Sequence, residues 1–316
     1  MGADAEVDHG GGLDAAAARF GSARADWVDL STGINPVPYP VPELPADCWT
    51  ALPDRAAHRA LEAAARAFWR VPDGCEVVMA PGASALIARM PDVALGAFDV
   101  PGPTYNEHAR AFRLAGAQAG DRVRVLVHPN NPDGRLWPAE ALNADVTVVD
   151  ESFCDVMPGQ SHIAQAARDG VIVLKSFGKF WGLAGARLGF AIATRATLSA
   201  GGRHMADLMG PWAVSGPALA IGTAALSDHV WAEATRARLQ ADTKRLDALM
   251  LGRGAGLVGG TTLFRLYDVG EAARWQNHLA QHRIWSRVFP YSSRWLRLGL
   301  PAPQHWDRLT QAVEAA

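Results

Sequence analysis

Lysine is scarce in this chain: only Lys175, Lys179 and Lys244 occur among 30 basic residues, the rest being arginine. Any chemistry that needs a nucleophilic amine is confined to those three positions. Cysteine is as rare. Cys48, Cys75 and Cys154 are widely spaced and form no CxxC pair, which sets aside a disulfide framework and reads as reduced thiols in a cytosolic protein. No apolar run approaches the ~20 residues of a membrane helix. Residues 1–8 are acidic and lack an apolar h-region, so no signal peptide is expected and the cytoplasm is the expected address. Charge of one sign is also missing: the formal net charge is −2, which gives no global reason to expect nucleic acid or an anionic membrane as partner.

What is present is a chain of 316 residues, 49% hydrophobic, able to bury a sizeable core. In its middle, short β-branched runs alternate with helical stretches. Residues 76–80, 97–100, 123–127, 146–149, 171–174 and 188–193 read as buried strands, with helices over 84–95, 106–115 and 163–168. The alternation predicts an α/β fold with a mostly parallel sheet covered on both faces. Ligands in such sheets sit beyond the carboxyl ends of strands. The final third predicts a smaller α+β domain. It has helices over 217–226 and 230–250, a glycine-rich break over 252–260 and a strand over 262–267, then a helix over 271–281 and short strands over 284–289 and 295–298. The Pro-rich residues 35–45 read as a surface connection.

The densest chemical signal is Ser176-Phe-Gly-Lys179-Phe-Trp-Gly-Leu-Ala-Gly-Ala-Arg187-Leu-Gly189, directly after a strand. A lysine among Phe177, Phe180 and Trp181 is partly desolvated, which favours its neutral, nucleophilic form. Ser176 and Arg187 add a hydroxyl and a guanidinium suited to a phosphate. A glycine-rich turn with a solvated lysine is the plainer alternative. Asp150-Glu151 ends an apolar strand, where an acid is costly unless it faces a cation. A carboxylate beneath a pyridine nitrogen would keep it protonated and make the ring an electron sink. A helix cap fits the dipeptide too, whereas a nucleotide–metal site needs GxxxxGK[ST], which is absent. His128-Pro-Asn130-Asn131-Pro-Asp-Gly134 is an ordinary turn signal, Ala80-Pro-Gly82-Ala83-Ser84 an anion site or a cap, and Tyr105 a stacking or core aromatic.

Taken in order, these residues resemble the active-site series of the fold-type I pyridoxal-phosphate enzymes, the aminotransferase class I/II superfamily, over nearly the whole chain. The spacing Ser-x-x-Lys-x7-Arg is met by Ser176, Lys179 and Arg187 without a gap. The resemblance implies pyridoxal 5′-phosphate as cofactor, bonded to Lys179 as a Schiff base. Asp150 would pair with the pyridine nitrogen, Asn131 with the ring hydroxyl, and Tyr105 would stack on the ring with Phe153 near it. Ala83, Ser84, Ser176 and Arg187 would hold the cofactor phosphate. Also implied are a homodimer and three segments: 1–36 closing the active site, 37–200 as the large cofactor-binding domain and 201–316 as the small domain. Two positions depart from the pattern. Leu52-Pro53-Asp54 stands where the family often has Tyr-Pro-Asp, and Phe153 where many relatives have tyrosine.

His9-Gly-Gly-Gly12, Asp29-Leu-Ser-Thr-Gly33-Ile-Asn35-Pro36 and Gly210-Pro-Trp-Ala-Val-Ser-Gly-Pro217 resemble the threonine-phosphate decarboxylases of cobalamin biosynthesis, close cousins of the histidinol-phosphate aminotransferases. A substrate with an α-carboxylate and a phosphate needs two multi-donor clusters. By resemblance Arg297 takes the carboxylate and Arg287 the phosphate, with Arg294 the competing candidate, while His9 and the loop from Gly33 to Asn35 close the site. Without the resemblance, Arg287 and Arg297 read as a solvated strand edge. The implied reaction is decarboxylation of L-threonine O-3-phosphate to (R)-1-aminopropan-2-ol O-2-phosphate, without a metal. A histidinol-phosphate-type aminotransferase and a cofactor-binding sensor without turnover are the alternatives.

Overall fold

The computed structural model describes residues 10–316, so His9 lies outside the described residues. These form two compact units, Pro38–Thr235 and Arg236–Ala316, the latter together with residues 10–37. By compactness the chain divides after Thr235. The helix Gly216–Ser227 belongs to the large unit because it packs on the helix Arg55–Trp69: a Cβ added to Gly222 would stand 2.9 Å from Leu61 and 2.7 Å from Leu188.

Along the chain, β1 (Val28–Asp29) comes first and belongs to the smaller unit. The large unit then holds β2 (Cys75–Ala80), β3 (Phe98–Asp99), β4 (Val123–Val127), β5 (Val146–Asp150), β6 (Val171–Ser176) and β7 (Gly189–Thr194). They lie in the order β2-β7-β6-β5-β4-β3. β3 to β6 pair in parallel and only β7 runs against its neighbours, which is the mostly parallel sheet expected. The β-branched runs explain it: Val148, Val149, Ile172 and Val173 are fully buried, as strands covered on both faces require.

Helices depart further from expectation. Arg55–Trp69 was not foreseen, although Asp54 caps it by accepting from Ala57 N at 2.8 Å and Leu61, Ala65 and Trp69 bury one face at intervals of four. The expected helix over 84–95 is Ala83–Arg89 followed by a 3-10 turn at Met90–Asp92, where Pro91 falls. The expected helix over 163–168 is only a 3-10 stretch, Ile163–Ala167. The Pro-rich connection is not all surface. Tyr39 is buried, donates its N–H to Trp181 O at 2.9 Å, and meets the rings of Trp181 and Trp231 at 6.0 and 5.2 Å.

The smaller unit holds β8 (Gly256–Thr261), β9 (Phe264–Asp268), β10 (Ile284–Trp285), β11 (Arg287–Phe289) and β12 (Ser292–Gly299). Its antiparallel sheet runs β11-β12-β9-β8, while β10 pairs in parallel with β1. The run 284–289, expected as one strand, is therefore shared between two sheets. The glycine-rich break is in fact mostly the edge strand β8. At Gly260 φ is +136°, and a Cβ would stand 2.3 Å from Phe264 O, so the close return into β9 requires glycine there. Leu13, Ala16, Trp27 and Ala280 form a core around the helix Leu13–Phe20. Among the described residues no helix is long and apolar enough to cross a membrane.

Candidate active site

β5 ends in Asp150, and the two adjacent carboxylates, Asp150 and Glu151, turn to different partners, as successive residues of a strand do. Asp150 is buried. His108, from the helix Glu107–Leu114, holds its Oδ2 through Nε2 at 2.8 Å, and Ser152 donates to Oδ1 from its backbone N–H at 2.9 Å and from its hydroxyl. Burial alone would raise the Asp150 pKa; the His108 and Ser152 bonds outweigh it and hold the carboxyl below its ordinary value. Asp150 is thus a fixed anion.

Glu151 instead accepts from Lys175 Nζ at 2.6 Å, Ser161 Oγ at 2.6 Å and His162 N at 2.5 Å. Asp155 lies 3.5 Å from Lys175 Nζ and takes the Trp69 indole N–H at 2.9 Å. Burial would lower the Lys175 pKa, but Glu151 and Asp155 raise it above the usual lysine value. A buried ammonium paired in this way is no nucleophile. The other lysine of the large unit, Lys179, is half-buried in the turn after β6, with Nζ 5.3 Å from the centre of the buried Phe153 ring.

The donors for a phosphate assemble through two glycines. β7 pairs Gly189 with Ala80 of β2 and with Ser176 of β6. A Cβ on Gly189 would stand 2.3 Å from Ala83 N, and one on Gly82, where φ is +89°, would stand 2.5 Å from Arg187 Nη2. Only glycine at these positions lets the Arg187 guanidinium lie against the start of the helix Ala83–Arg89, whose second residue is the exposed Ser84. Arg187 Nη1 donates to Ala184 O at 3.2 Å, and Ser176 Oγ accepts from Gly178 N at 3.4 Å. First-turn N–H groups, a guanidinium and a hydroxyl make a donor set for a phosphate ester.

Tyr105 belongs to the same neighbourhood. Burial first, then the Glu107 and Asp150 carboxylates, push its hydroxyl up to about 12, with Arg187 opposing, so the phenol is neutral near pH 7. In the loop after β4, the two asparagines separate in role. Asn130 is fully buried and clamps the loop: its amide donates to Pro103 O at 3.0 Å and Asp133 Oδ1 at 2.7 Å, and its oxygen accepts from Thr104 Oγ1 at 2.6 Å. Asn131 is the half-buried neighbour. His108 is the site residue that sequence reading missed. Its signal was only a histidine one turn beyond Tyr105 on a short helix, with its partner 42 residues away. Among the described residues no His, Cys, Asp and Glu cluster suits a metal.

In the smaller unit, Arg297 on β12 is buried and stands directly across from Arg287 on β11. Burial and then the Arg287 charge pull the Arg297 pKa down to about 10. Arg294 is three residues away on β12, hence on the other face, exposed and paired with Asp268 at 2.8 Å. That places Arg287, not Arg294, beside Arg297. Gly33 is buried. So is Asn35, whose Oδ1 accepts from Arg238 Nη2 at 2.6 Å and Val37 N at 3.1 Å.

Residues 117–315 match the family model described as aminotransferase class I and II, and the chain belongs to this family. It is 40% identical to the threonine-phosphate decarboxylase of Sinorhizobium sp over 96% of each chain. With the threonine-phosphate decarboxylase of Pseudomonas aeruginosa it shares 39% identity over 97% of each. Among solved structures, the histidinol-phosphate aminotransferase from Sinorhizobium meliloti in complex with pyridoxal-5'-phosphate superposes with a TM-score of 0.81, covering 96% of this chain and 95% of that one. The identity there is 18%, so that likeness is one of fold.

Proposed function

We propose that the chain is a pyridoxal 5′-phosphate enzyme that decarboxylates L-threonine O-3-phosphate to (R)-1-aminopropan-2-ol O-2-phosphate in cobalamin biosynthesis, working in the cytoplasm as a homodimer. The observation that carries the reading is the near full-length identity, 40% and 39%, with two proteins named for that reaction. The residues of the large unit fit the cofactor: an anionic Asp150, Lys179 in the turn after β6 beside the Phe153 ring, and a glycine-lined seat beside Arg187.

When bound, the cofactor supplies an electron sink for the pair left behind as a bond at the substrate Cα breaks. Lys179 Nζ holds the cofactor between turnovers and, as general acid, delivers a proton to Cα. Asp150, fixed by His108 and Ser152, keeps the proton on the ring nitrogen. Asn131 would take the ring hydroxyl, Tyr105 and Phe153 would lie near the ring, and Ala83, Ser84, Ser176 and Arg187 would take the cofactor phosphate. Arg297 binds the substrate α-carboxylate and Arg287 its phosphate, with His9, Gly33 and Asn35 closing the substrate side. The cross-strand pairing of Arg287 with Arg297 supports this, since it sets two guanidinium groups side by side as donors for an anionic substrate. Product analysis tests the function: threonine phosphate should give CO2 and the amino-alcohol phosphate in equal amounts. A 2-oxo acid product would assign amino-group transfer instead.

A further inference from the structure

Arg297 does not depend on its own strand alone. Its Nη2 donates to the backbone oxygen of Ser31. Ser31 is held in turn by Asp29, whose Oδ1 accepts both Ser31 N at 2.8 Å and Ser31 Oγ at 2.6 Å, closing a turn over residues 29–31. The same hydroxyl oxygen accepts from Gly11 N at 2.7 Å, and Trp285 Nε1 donates to Gly11 O at 3.0 Å. Trp285 is the strand partner of Asp29, so turn and strap rest on one two-stranded sheet. Gly10 lies against the same point: a Cβ there would stand 2.8 Å from Ser31 O and 3.4 Å from Arg297 Nη2.

We infer that the Asp29–Ser31 turn, strapped by Gly10 and Gly11 onto Trp285, sets the plane of the Arg297 guanidinium, which makes Asp29 and Ser31 positioning residues for recognition of the substrate α-carboxylate. This rests on the reading of Arg297 as the carboxylate ligand. A guanidinium meets a carboxylate as a planar fork, so the orientation of that plane decides the strength of the pair. Tying Nη2 to a fixed backbone oxygen fixes the plane. Losing the Asp29 acceptor frees Ser31 to move, and the guanidinium with it.

The test is a stopped-flow titration of the cofactor absorbance in the holoenzyme, which reads binding whether or not decarboxylation follows. The ligands are L-threonine O-3-phosphate and its α-carboxyl methyl ester. Asp29→Ala should weaken binding of the acid about tenfold, the scale of one lost charge-assisted bond, and leave the ester unchanged. Asp29→Asn keeps an oxygen for both Ser31 bonds and should restore the acid to within about threefold of wild type. An Asn variant as weak as the Ala variant, or equal losses for acid and ester, overturns the inference. Should Asp29→Ala not fold, Ser31→Ala, which deletes the hydroxyl ties to Asp29 and Gly11 and keeps the Ser31 N–H bond to Asp29, must show the same acid-selective loss at about threefold; no selective loss overturns it. Arg297→Ala separates the two readings. If it leaves the preference for acid over ester intact, the carboxylate assignment has failed; if it abolishes the preference while Asp29→Ala does not, only the turn has failed.

Discussion

Lys175→Met makes the sharpest demand on the large unit. The substitution keeps the unbranched shape of the side chain, one atom shorter, and removes the cation between Glu151 and Asp155, both buried, leaving their charges without it. Breaking a buried pair from one side costs about 3–5 kcal/mol. For a cooperative unit of roughly two hundred residues that is a fall in Tm of about 6–20 °C. The double variant Glu151→Gln/Lys175→Met removes the closer of the two carboxylate charges together with the cation and should recover part of the loss, Asp155 keeping its charge. Thermal and urea unfolding at pH 7.5 measure both. The folded-state pKa of Lys175 is raised, so its stabilisation is complete below the ordinary lysine pKa of about 10.4 and is lost as pH rises through the higher folded value. The stability gap to Lys175→Met should therefore be flat from pH 7 to 10 and narrow only in stronger alkali. A single variant within about 1 kcal/mol of wild type, or a double variant no better than the single, would refute the argument.

Four further outcomes concern the proposed site residues. Lys179→Ala should abolish cofactor fixed to the protein by borohydride, and label trapped on Lys175 or Lys244 would show that the reactive amine is elsewhere. Asp150→Asn should retain some cofactor through the phosphate seat yet lose at least about a hundredfold in kcat, the scale of removing one preorganised charge. Because the Asp150 pKa is depressed, the carboxylate stays ionised at pH 5, so an acid limb above that pH in the pH–rate profile belongs to another group. Arg287→Ala should weaken threonine phosphate at least about tenfold more than threonine. Equal losses would remove Arg287 from the phosphate site.

The centre of the large sheet was legible because β4, β5 and β6 are rich in β-branched residues, a pattern that burial on both faces imposes locally. The segment from Ser176 to Arg187 was legible for a similar reason, since lysine, serine and arginine sit within one turn of chain. Elements whose logic is tertiary were not. The glycines of β8 look like a break, and only the close approach of Phe264 turns them into an edge strand. The helix Arg55–Trp69 is dense in alanine and arginine, and its apolar stripe of Leu61, Ala65 and Trp69 gains meaning from the Gly216–Ser227 helix packed on it. The division of labour between Asp150 and Glu151 was half visible, because neighbours on a strand face opposite ways. Which of them faces the site depended on Lys175 and His108, both remote in sequence.

On the proposed function the chain decarboxylates threonine phosphate with no second substrate. Holoenzyme mixed with a large excess of L-threonine O-3-phosphate and no 2-oxo acid tests it directly, with CO2 and the absorbance of the lysine-bound cofactor followed together. CO2 should be released over many turnovers while that absorbance is retained. A single turnover, with the absorbance replaced by that of the amine form of the cofactor and no CO2, would contradict the account and assign the chain to amino-group transfer.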